Sequence, residues 1–464
     1  MRSKQINVCQ NCRQHKIGCD GKQPGCTQCK LTGRSCVGYT QELLIVQHKP
    51  SSRQKKCTFQ KKTEQVQPSS SLLFHDSTPL WPTYEESVAV IVERYIPSDE
   101  IPFLSPVSPS RSRICGGWVQ ALLYVEQTGV GFEQVLLPAV RSLVMSMMIT
   151  SEESRRQYLY TYGGALRGIR ARISRENDST NSALSLASMC LTLSEVMMPT
   201  SSEGSTAHIQ GVAGMMQSRG PSAFCDGITH LLFVGFRPLI VLEALMKRRR
   251  TFLAADEWRA IPFSTQSPSP MQVLLGQAST IPLLLEEADK ADMDVQVIRK
   301  SFASALDTLK AWEDDFLSRD DTVYWPVPSA HLKSSVDPQL LPDTCFEFLD
   351  VSHANSLSHC WAFQIVCLLQ LDAFEEQMCE VQSKETQELD HNRKAGILGL
   401  CTQICQGLPY LLQPEMSLYG PLSATFPLRM VSESLKSMPE RGLDQSKWCN
   451  AIQDRLISKG IMPM

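Results

Sequence analysis

Beyond about Trp81 the apolar residues recur every three or four positions. Phe302, Leu306, Leu309, Trp312 and Phe316 make one such stripe, and Leu357, Trp361, Ile365 and Leu368 another. That period puts a stripe on one face of a helix, so the pattern predicts helices packed through their apolar sides. Strand-like alternation and hairpin signals are scarce, and residues 81–464 are read as one large all-α domain with Trp312, Trp361 and Tyr410 in its core. From Val37 to about Asp76 the periodicity vanishes. That stretch is polar, carries Pro50, Pro68 and runs of serine, and buries too little apolar surface to offset the entropy of ordering. Residues 41–80 are therefore expected to be a disordered basic linker, and residues 1–40 a small module of their own. The fold class that follows is mostly α.

With 464 residues and 42% hydrophobic content, the chain can bury one large core and carry a small module beside it. The net charge of −3 conceals a strong polarity. Residues 1–62 hold thirteen Lys and Arg against Asp20 and Glu42, a net +11, which leaves −14 for the remainder. A basic end facing a polyanion and an acidic body kept away from it point to nucleic acid as partner. No membrane is expected. The most apolar stretch, Leu231 to Met246, is short for a span and interrupted by Arg237, Pro238 and Glu243. Met1 to Gln5 is not followed by an apolar run, so no secretory signal is read, and a reducing compartment with free or metal-bound cysteines is expected.

Six of the seventeen cysteines fall between Cys9 and Cys36, while the other eleven are scattered and read as small buried hydrophobes. The six follow C-x2-C-x6-C-x6-C-x2-C-x6-C: Cys9, Cys12, Cys19, Cys26, Cys29 and Cys36. A shift of seventeen positions superimposes the first three on the last three, so the module is an internal repeat. Zinc takes four ligands in a tetrahedron, and two ions ask for eight places where six thiolates are on offer; two sulfurs must bridge. Such a cluster has a net charge of −2, suited to a module rich in Lys and Arg. A segment this small cannot fold on its apolar surface alone, so metal binding supplies its folding energy. A disulfide knot is disfavoured by the reducing context, and iron–sulfur sites use other spacings.

Between Cys12 and Cys19 lie Arg13, Gln14, His15, Lys16, Ile17 and Gly18. Asp20 follows, then Pro24 before the fourth cysteine, with Gly33 and Tyr39 later. Over residues 9–39 this pattern resembles the fungal binuclear zinc-cluster DNA-binding domain. The resemblance implies two zinc ions, with Cys9 and Cys26 as bridges. One ion then takes Cys9, Cys12, Cys19 and Cys26, the other Cys9, Cys26, Cys29 and Cys36. It further implies that the end of the first short helix enters the major groove of double-stranded DNA. There Lys16, flanked by Arg13, His15 and Ile17, reads a CGG-type triplet. An ammonium reaches guanine O6 and N7, while backbone carbonyls accept from the cytosine amino group. The repeat pairs Lys16 with Gly33, so only the first half carries a reading lysine, and Lys30 and Arg34 are assigned to phosphate or solvent. His15 and Gly18 stand where the family usually has basic residues.

In the linker, Arg53, Lys55, Lys56, Lys61 and Lys62 form a split basic cluster, a candidate for nuclear import, for phosphate contact, or for both. A coiled coil after the cluster would need apolar positions over several heptads, and only Leu43 to Val46 offers them. A monomer, or a homodimer formed elsewhere, is expected.

In the large region Tyr162 to Leu166, His208 to Gly211, Ser218 to Pro221, Ile404 to Leu412 and Tyr419 to Pro421 resemble the second type of fungal-specific transcription factor domain. That likeness implies a regulatory region that meets transcription coregulators, and it supplies no catalytic residues. His208 has no nucleophile motif or paired acid nearby in sequence and reads as a core histidine. Gly129-Val130-Gly131 lacks the rest of a dinucleotide loop. The acidic runs Glu286 to Asp294 and Glu313 to Asp315 suit either a solvated helix face or a coregulator surface. The expectation is a nuclear, sequence-specific regulator of RNA polymerase II genes, of the kind that often controls metabolic or secondary-metabolite genes. An enzyme is not expected. The competing reading is a zinc-stabilised interaction protein that does not read DNA sequence.

Overall fold

The structure is a computed structural model. It describes residues 82–104, 117–173, 182–290, 293–319, 322–332, 336–378, 384–436, 438 and 442–461, together with 9, 11, 12, 19, 20, 22, 26–34 and 36 of the N-terminal module. The chain divides into two compact units, Met1–Ser77 and Thr78–Met464. The linker expected at 41–80 lies outside the described residues.

In the first unit one short helix, α1 (Thr27–Leu31), belongs to the second cysteine half. The second unit opens with α2 (Tyr84–Tyr95), started by a reciprocal cap: Thr83 Oγ1 accepts from the Glu86 amide at 3.2 Å, and Glu86 Oε2 from the Thr83 amide at 2.7 Å. Helices α3 (Gly117–Tyr124), α4 (Leu137–Met147), α5 (Glu152–Ile173), α6 (Ser182–Met197), α7 (Gly204–Arg219) and α8 (Gly227–Lys247) follow. Then come α9 (Asp256–Ala260), α10 (Pro270–Ala278), α11 (Ile281–Ala288) and α12 (Val295–Ser318). After a hairpin, α13 (Val351–Met378), α14 (Lys384–Leu411), α15 (Tyr419–Lys436) and α16 (Leu443–Ser458) complete the unit. One continuous apolar core runs through it.

The two stripes read from the sequence fall where the core is. Phe302, Leu306, Leu309, Trp312 and Phe316 are all buried on α12, and Leu357, Trp361 and Ile365 are buried on α13. Helix α13 packs against α12, α14 and α15 at once, which leaves it little polar surface. Some of the polar groups that meet this core are paired between helices. Glu313 of α12 accepts from Trp361 Nε1 at 2.6 Å and from Gln364 Nε2 at 2.5 Å.

Both α8 and the Val351–Glu375 part of α13 are long and apolar enough to cross a membrane by length and composition. Most of each is buried inside the unit, as for core helices of a folded domain. Helix α8 accommodates Pro238 through a specific substitution of donors. Proline has no N–H for the carbonyl four residues back, that of Val234, and Gln272 Nε2 of α10 donates to this carbonyl instead at 3.2 Å. Arg237 beside it is 1% exposed, donates to the Gln272 carbonyl at 2.7 Å, and lies over the Phe233 and Phe263 rings.

The helical reading gains one small element. Strands β1 (Tyr324–Pro328) and β2 (Thr344–Phe348) pair antiparallel, Tyr324 opposite Phe348 and Pro328 opposite Thr344. Two prolines in β1 read as strand breakers, yet an edge strand tolerates them because one side of its ladder is unused. Strand β2 turns Cys345, Phe346 and Phe348 inward, where it packs against α14.

The acidic runs serve the fold more than a free surface. Glu286 and Glu287 take Arg250 at 3.0 and 3.1 Å, Asp294 caps α12 by accepting from the Gln296 and Val297 amides, and Glu313 is committed to Trp361 and Gln364. The scattered cysteines at 190, 345, 360, 367, 401, 405 and 449 are buried free thiols. Burial pushes Cys367 up to about 12 and raises Cys190, Cys345, Cys360 and Cys401 as well, which disfavours the reactive thiolate at these positions.

At the junction of α14 and α15 a Cβ on Gly420 would collide with the Leu411 carbonyl oxygen and with Met416 Cβ. Gly420→Ala is expected to destabilise the helical unit by about 2 kcal/mol through overpacking. Urea unfolding followed by far-UV circular dichroism reads this as a lower midpoint at unchanged slope.

Candidate metal centre

The sequence repeat is also a repeat of geometry. In each half the first cysteine's sulfur accepts from the backbone amide three residues on: Cys12 N to Cys9 Sγ at 3.4 Å, and Cys29 N to Cys26 Sγ at 3.3 Å. The Cys9 amide also donates to Cys19 Sγ at 3.4 Å. Each helix start therefore aims N–H groups at sulfur, an arrangement that stabilises thiolate. Cys9, Cys12, Cys19, Cys26 and Cys29 are buried and Cys36 is partly buried, gathered around one centre.

Two sets of four sulfurs result, Cys9, Cys12, Cys19, Cys26 and Cys9, Cys26, Cys29, Cys36, with the ligand atoms of each set within 4.8 Å of one another. The sets share Cys9 and Cys26. A tetrahedral zinc with bonds of about 2.3 Å holds its sulfurs about 3.8 Å apart. The Cys9–Cys26 and Cys9–Cys29 separations are 3.7 Å and Cys12–Cys26 is 3.6 Å, a close fit to that geometry. They are far longer than a disulfide, which excludes the knot reading for these sulfurs. The six cysteines are arranged to hold two metal ions, as two zinc ions require.

Two further residues of the motif acquire roles that their positions alone did not disclose. Asp20, next to Cys19, crosses to the second half, where its carboxylate accepts from the Thr27 amide at 3.0 Å and from Thr27 Oγ1 at 2.5 Å. The Thr27 hydroxyl hydrogen bond is the main reason the Asp20 carboxyl titrates below its ordinary range. This link ties the third cysteine to the start of α1. At the other end of α1, Gly33 has φ +64° and donates to the Lys30 carbonyl, while Arg34 donates to that of Cys29. This left-handed closure turns the chain back so that Cys36 returns to the sulfurs, and glycine takes it without the strain a side chain brings.

Of the residues assigned to DNA, Lys30 and Arg34 lie exposed on α1 and at its end. Arg13, His15, Lys16 and Ile17 lie outside the described residues, as do Arg53, Lys55, Lys56, Lys61 and Lys62. Leu31 on α1 is 77% exposed, an apolar side chain the sequence reading did not single out. In the helical unit His208 meets the Tyr162 hydroxyl at 3.0 Å, and burial lowers its pKa, the behaviour of a neutral core histidine.

Residues 7–44 match the family described as the fungal Zn(2)-Cys(6) binuclear cluster domain. The N-terminal unit thus carries a fungal binuclear zinc-cluster domain. An uncharacterized protein of Emericella nidulans is 22% identical over 256 residues, 47% of this chain. The match spans about half of that relative's own length, 53%. A match of this length includes part of the helical unit. No solved structure matches the chain.

The centre crowds six sulfurs together. Burial and neighbouring cysteines push Cys29 up to about 12 and raise Cys12 as well. Without metal these sulfurs prefer to stay protonated, so that contribution to stability is present at low pH and lost as pH rises toward the raised values. Zinc reverses the sign, because it binds thiolate and must expel the protons. Apparent zinc affinity is expected to rise with pH for as long as the ligand thiols are protonated in the absence of zinc, read by competition with a chromophoric chelator. Elemental analysis of the whole protein is expected to give two zinc ions per chain.

Proposed function

We propose that the chain is a nuclear, sequence-specific DNA-binding transcription factor of RNA polymerase II genes, reading a CGG-type triplet through its zinc cluster. The observation that carries this reading is the pair of four-sulfur sets sharing Cys9 and Cys26, within a domain whose family is typically DNA-binding. The charge supports it: residues 1–62 carry +11, suited to a phosphate backbone. Cys9 and Cys26 bridge the two ions. Lys16 is the base-reading residue, with Arg13, His15 and Ile17 beside it, and the exposed Lys30 and Arg34 contact phosphate. The cluster at Arg53, Lys55, Lys56, Lys61 and Lys62 serves import and adds phosphate contacts.

Residues 81–464 act as a regulatory domain of the second fungal-specific transcription factor type, meeting coregulators and controlling a metabolic or secondary-metabolite gene set. No catalytic role is assigned to them. The helical core, crowded around α13, suits a scaffold that transmits state and presents surface.

Selection of bound sites from random duplex DNA by the zinc-loaded full chain is expected to enrich a CGG-type triplet. Lys16→Ala removes a base contact and no metal ligand, so preference for the triplet is expected to fall by at least tenfold while two zinc ions are retained. Loss of zinc together with specificity would instead assign Lys16 to folding. Failure of the unmodified chain to enrich any sequence would favour the zinc-stabilised interaction protein. The affinity of the unmodified chain is expected to fall with salt at a log–log slope of about −0.9 per phosphate neutralised.

A further inference from the structure

The helical unit contains a cleft with an inner and an outer part. The inner part, about 120 Å³, is bordered by Tyr95, Trp118, Asn355, His359 and Tyr419. The outer part, about 280 Å³, is bordered by Glu243, Lys247 and Arg429. Ser205, Ile209, Leu239, Leu242 and Thr425 line both, so the two adjoin. Their size falls in the range of small-molecule sites, roughly 300–1,000 Å³.

Polar groups sit at the two ends, and both ends are incomplete. At the inner end Asn355 is 4% exposed; its Nδ2 donates to the Tyr419 hydroxyl at 2.9 Å, and its Oδ1 is buried with no hydrogen-bond partner among the described residues. Leaving such an acceptor unpaired costs free energy that a ligand donor would recover. One turn along α13, His359 Nδ1 lies 2.9 Å from the Asn355 carbonyl. A carbonyl only accepts, so Nδ1 carries the proton; burial lowers the ring's pKa to about 4, and Nε2 is left as a bare acceptor. Two acceptors at one end call for a donor.

At the outer end Arg429 is half-buried and has no ion pair or hydrogen bond among the described residues. The other charges at the mouth are committed: Lys247 to Glu203 at 2.9 Å, and Glu243 to Gln210 at 2.9 Å. Arg429 is thus the cation left for an incoming anion, and its planar fork suits a carboxylate. Tyr419, Leu422, Thr425 and Arg429 follow one another at three- or four-residue spacing along α15. Ten residues from Tyr419 to Arg429 at 1.5 Å each span about 15 Å.

We propose that this cleft binds an elongated phenolic acid. Its hydroxyl donates to Asn355 and His359, its ring lies among the aromatic side chains of the inner part, its apolar middle runs past Ile209, Leu239 and Leu242, and its carboxylate meets Arg429. The ring is favoured over a bare chain because the inner part is bordered by Tyr95, Trp118 and Tyr419 and is close in size to cavities of about 150 Å³ that take benzene. The site lies within the helical unit and does not depend on the DNA reading, so either reading can fail alone.

Calorimetric titration of the zinc-loaded full chain with para-hydroxyphenyl octanoic acid tests this, beside phenyl octanoic acid, which lacks the donor, and the methyl ester of the hydroxy acid, which lacks the charge. Loss of either group is expected to weaken binding at least about tenfold. Arg429→Gln is expected to bring the acid down to the affinity of the ester and leave the ester unchanged. Leu239→Trp, which fills the passage between the two parts, is expected to abolish binding of all three while circular dichroism and unfolding midpoint stay near those of the unmodified chain. The proposal is overturned if the hydroxy acid does not bind, if the three compounds bind alike, or if a folded Leu239→Trp chain binds as before. Equal affinity of Arg429→Gln for the acid overturns the placement of the carboxylate.

Discussion

Six sulfurs facing eight coordination places is the constraint from which the N-terminal unit follows. Two of the six must lie within bonding distance of both metals, which brings two separate loops of chain to one point. Cys9 and Cys26 occupy that shared position, and each is the residue whose sulfur receives an amide three residues later. Both shared sulfurs thus have backbone support, as Cys19 has from the Cys9 amide. Asp20 then joins the halves from outside the sulfur set, and Gly33 turns the chain so that the last ligand returns. With so little apolar surface in the module, this chain of local hydrogen bonds has meaning only around a metal.

The second unit is organised by burial instead. Helix α13 is enclosed by α12, α14 and α15, and an element so placed depends on its neighbours for polar partners. Glu313 does this for Trp361 and Gln364, and Gln272 does it for the carbonyl that Pro238 leaves without a donor. Arg237 is the more extreme case. Buried among aromatic rings, it is held by the Gln272 backbone and amide in place of a carboxylate. Residues that look like surface chemistry in the sequence are here internal fasteners.

This explains which features could be read from the chain alone. The count of six thiolates against eight coordination places made the need for two shared sulfurs legible, while which two they are followed only from the family resemblance; the stripes of α12 and α13, whose period is fixed by helix geometry, were legible too. The hairpin was not, because Pro326 and Pro328 mask a strand whose tolerance of proline depends on its being at an edge. Nor was the fate of Glu313 or Glu286, since an acidic run on a helix looks the same whether it faces water or a partner 48 residues away. The cleft was equally hidden. Its polar ends come from α13 and α15, and sequence carries no sign that Asn355 and Arg429 border one space.

Two histidines of the helical unit, His359 buried and His208 partly buried, are held in different ways. Burial keeps both His208 and His359 neutral at physiological pH. His208 turns its Nε2 to the Tyr162 hydroxyl, and the pair closes a contact between α5 and α7. His359 instead uses Nδ1 on the backbone of its own helix, which fixes the tautomer and leaves Nε2 as an acceptor, while Phe426 of α15 stacks on the face of the ring. The decisive difference is the direction of the first hydrogen bond rather than the degree of burial. A histidine bonded across helices completes a core. One bonded along its own helix leaves its outer edge for whatever enters the space beside it.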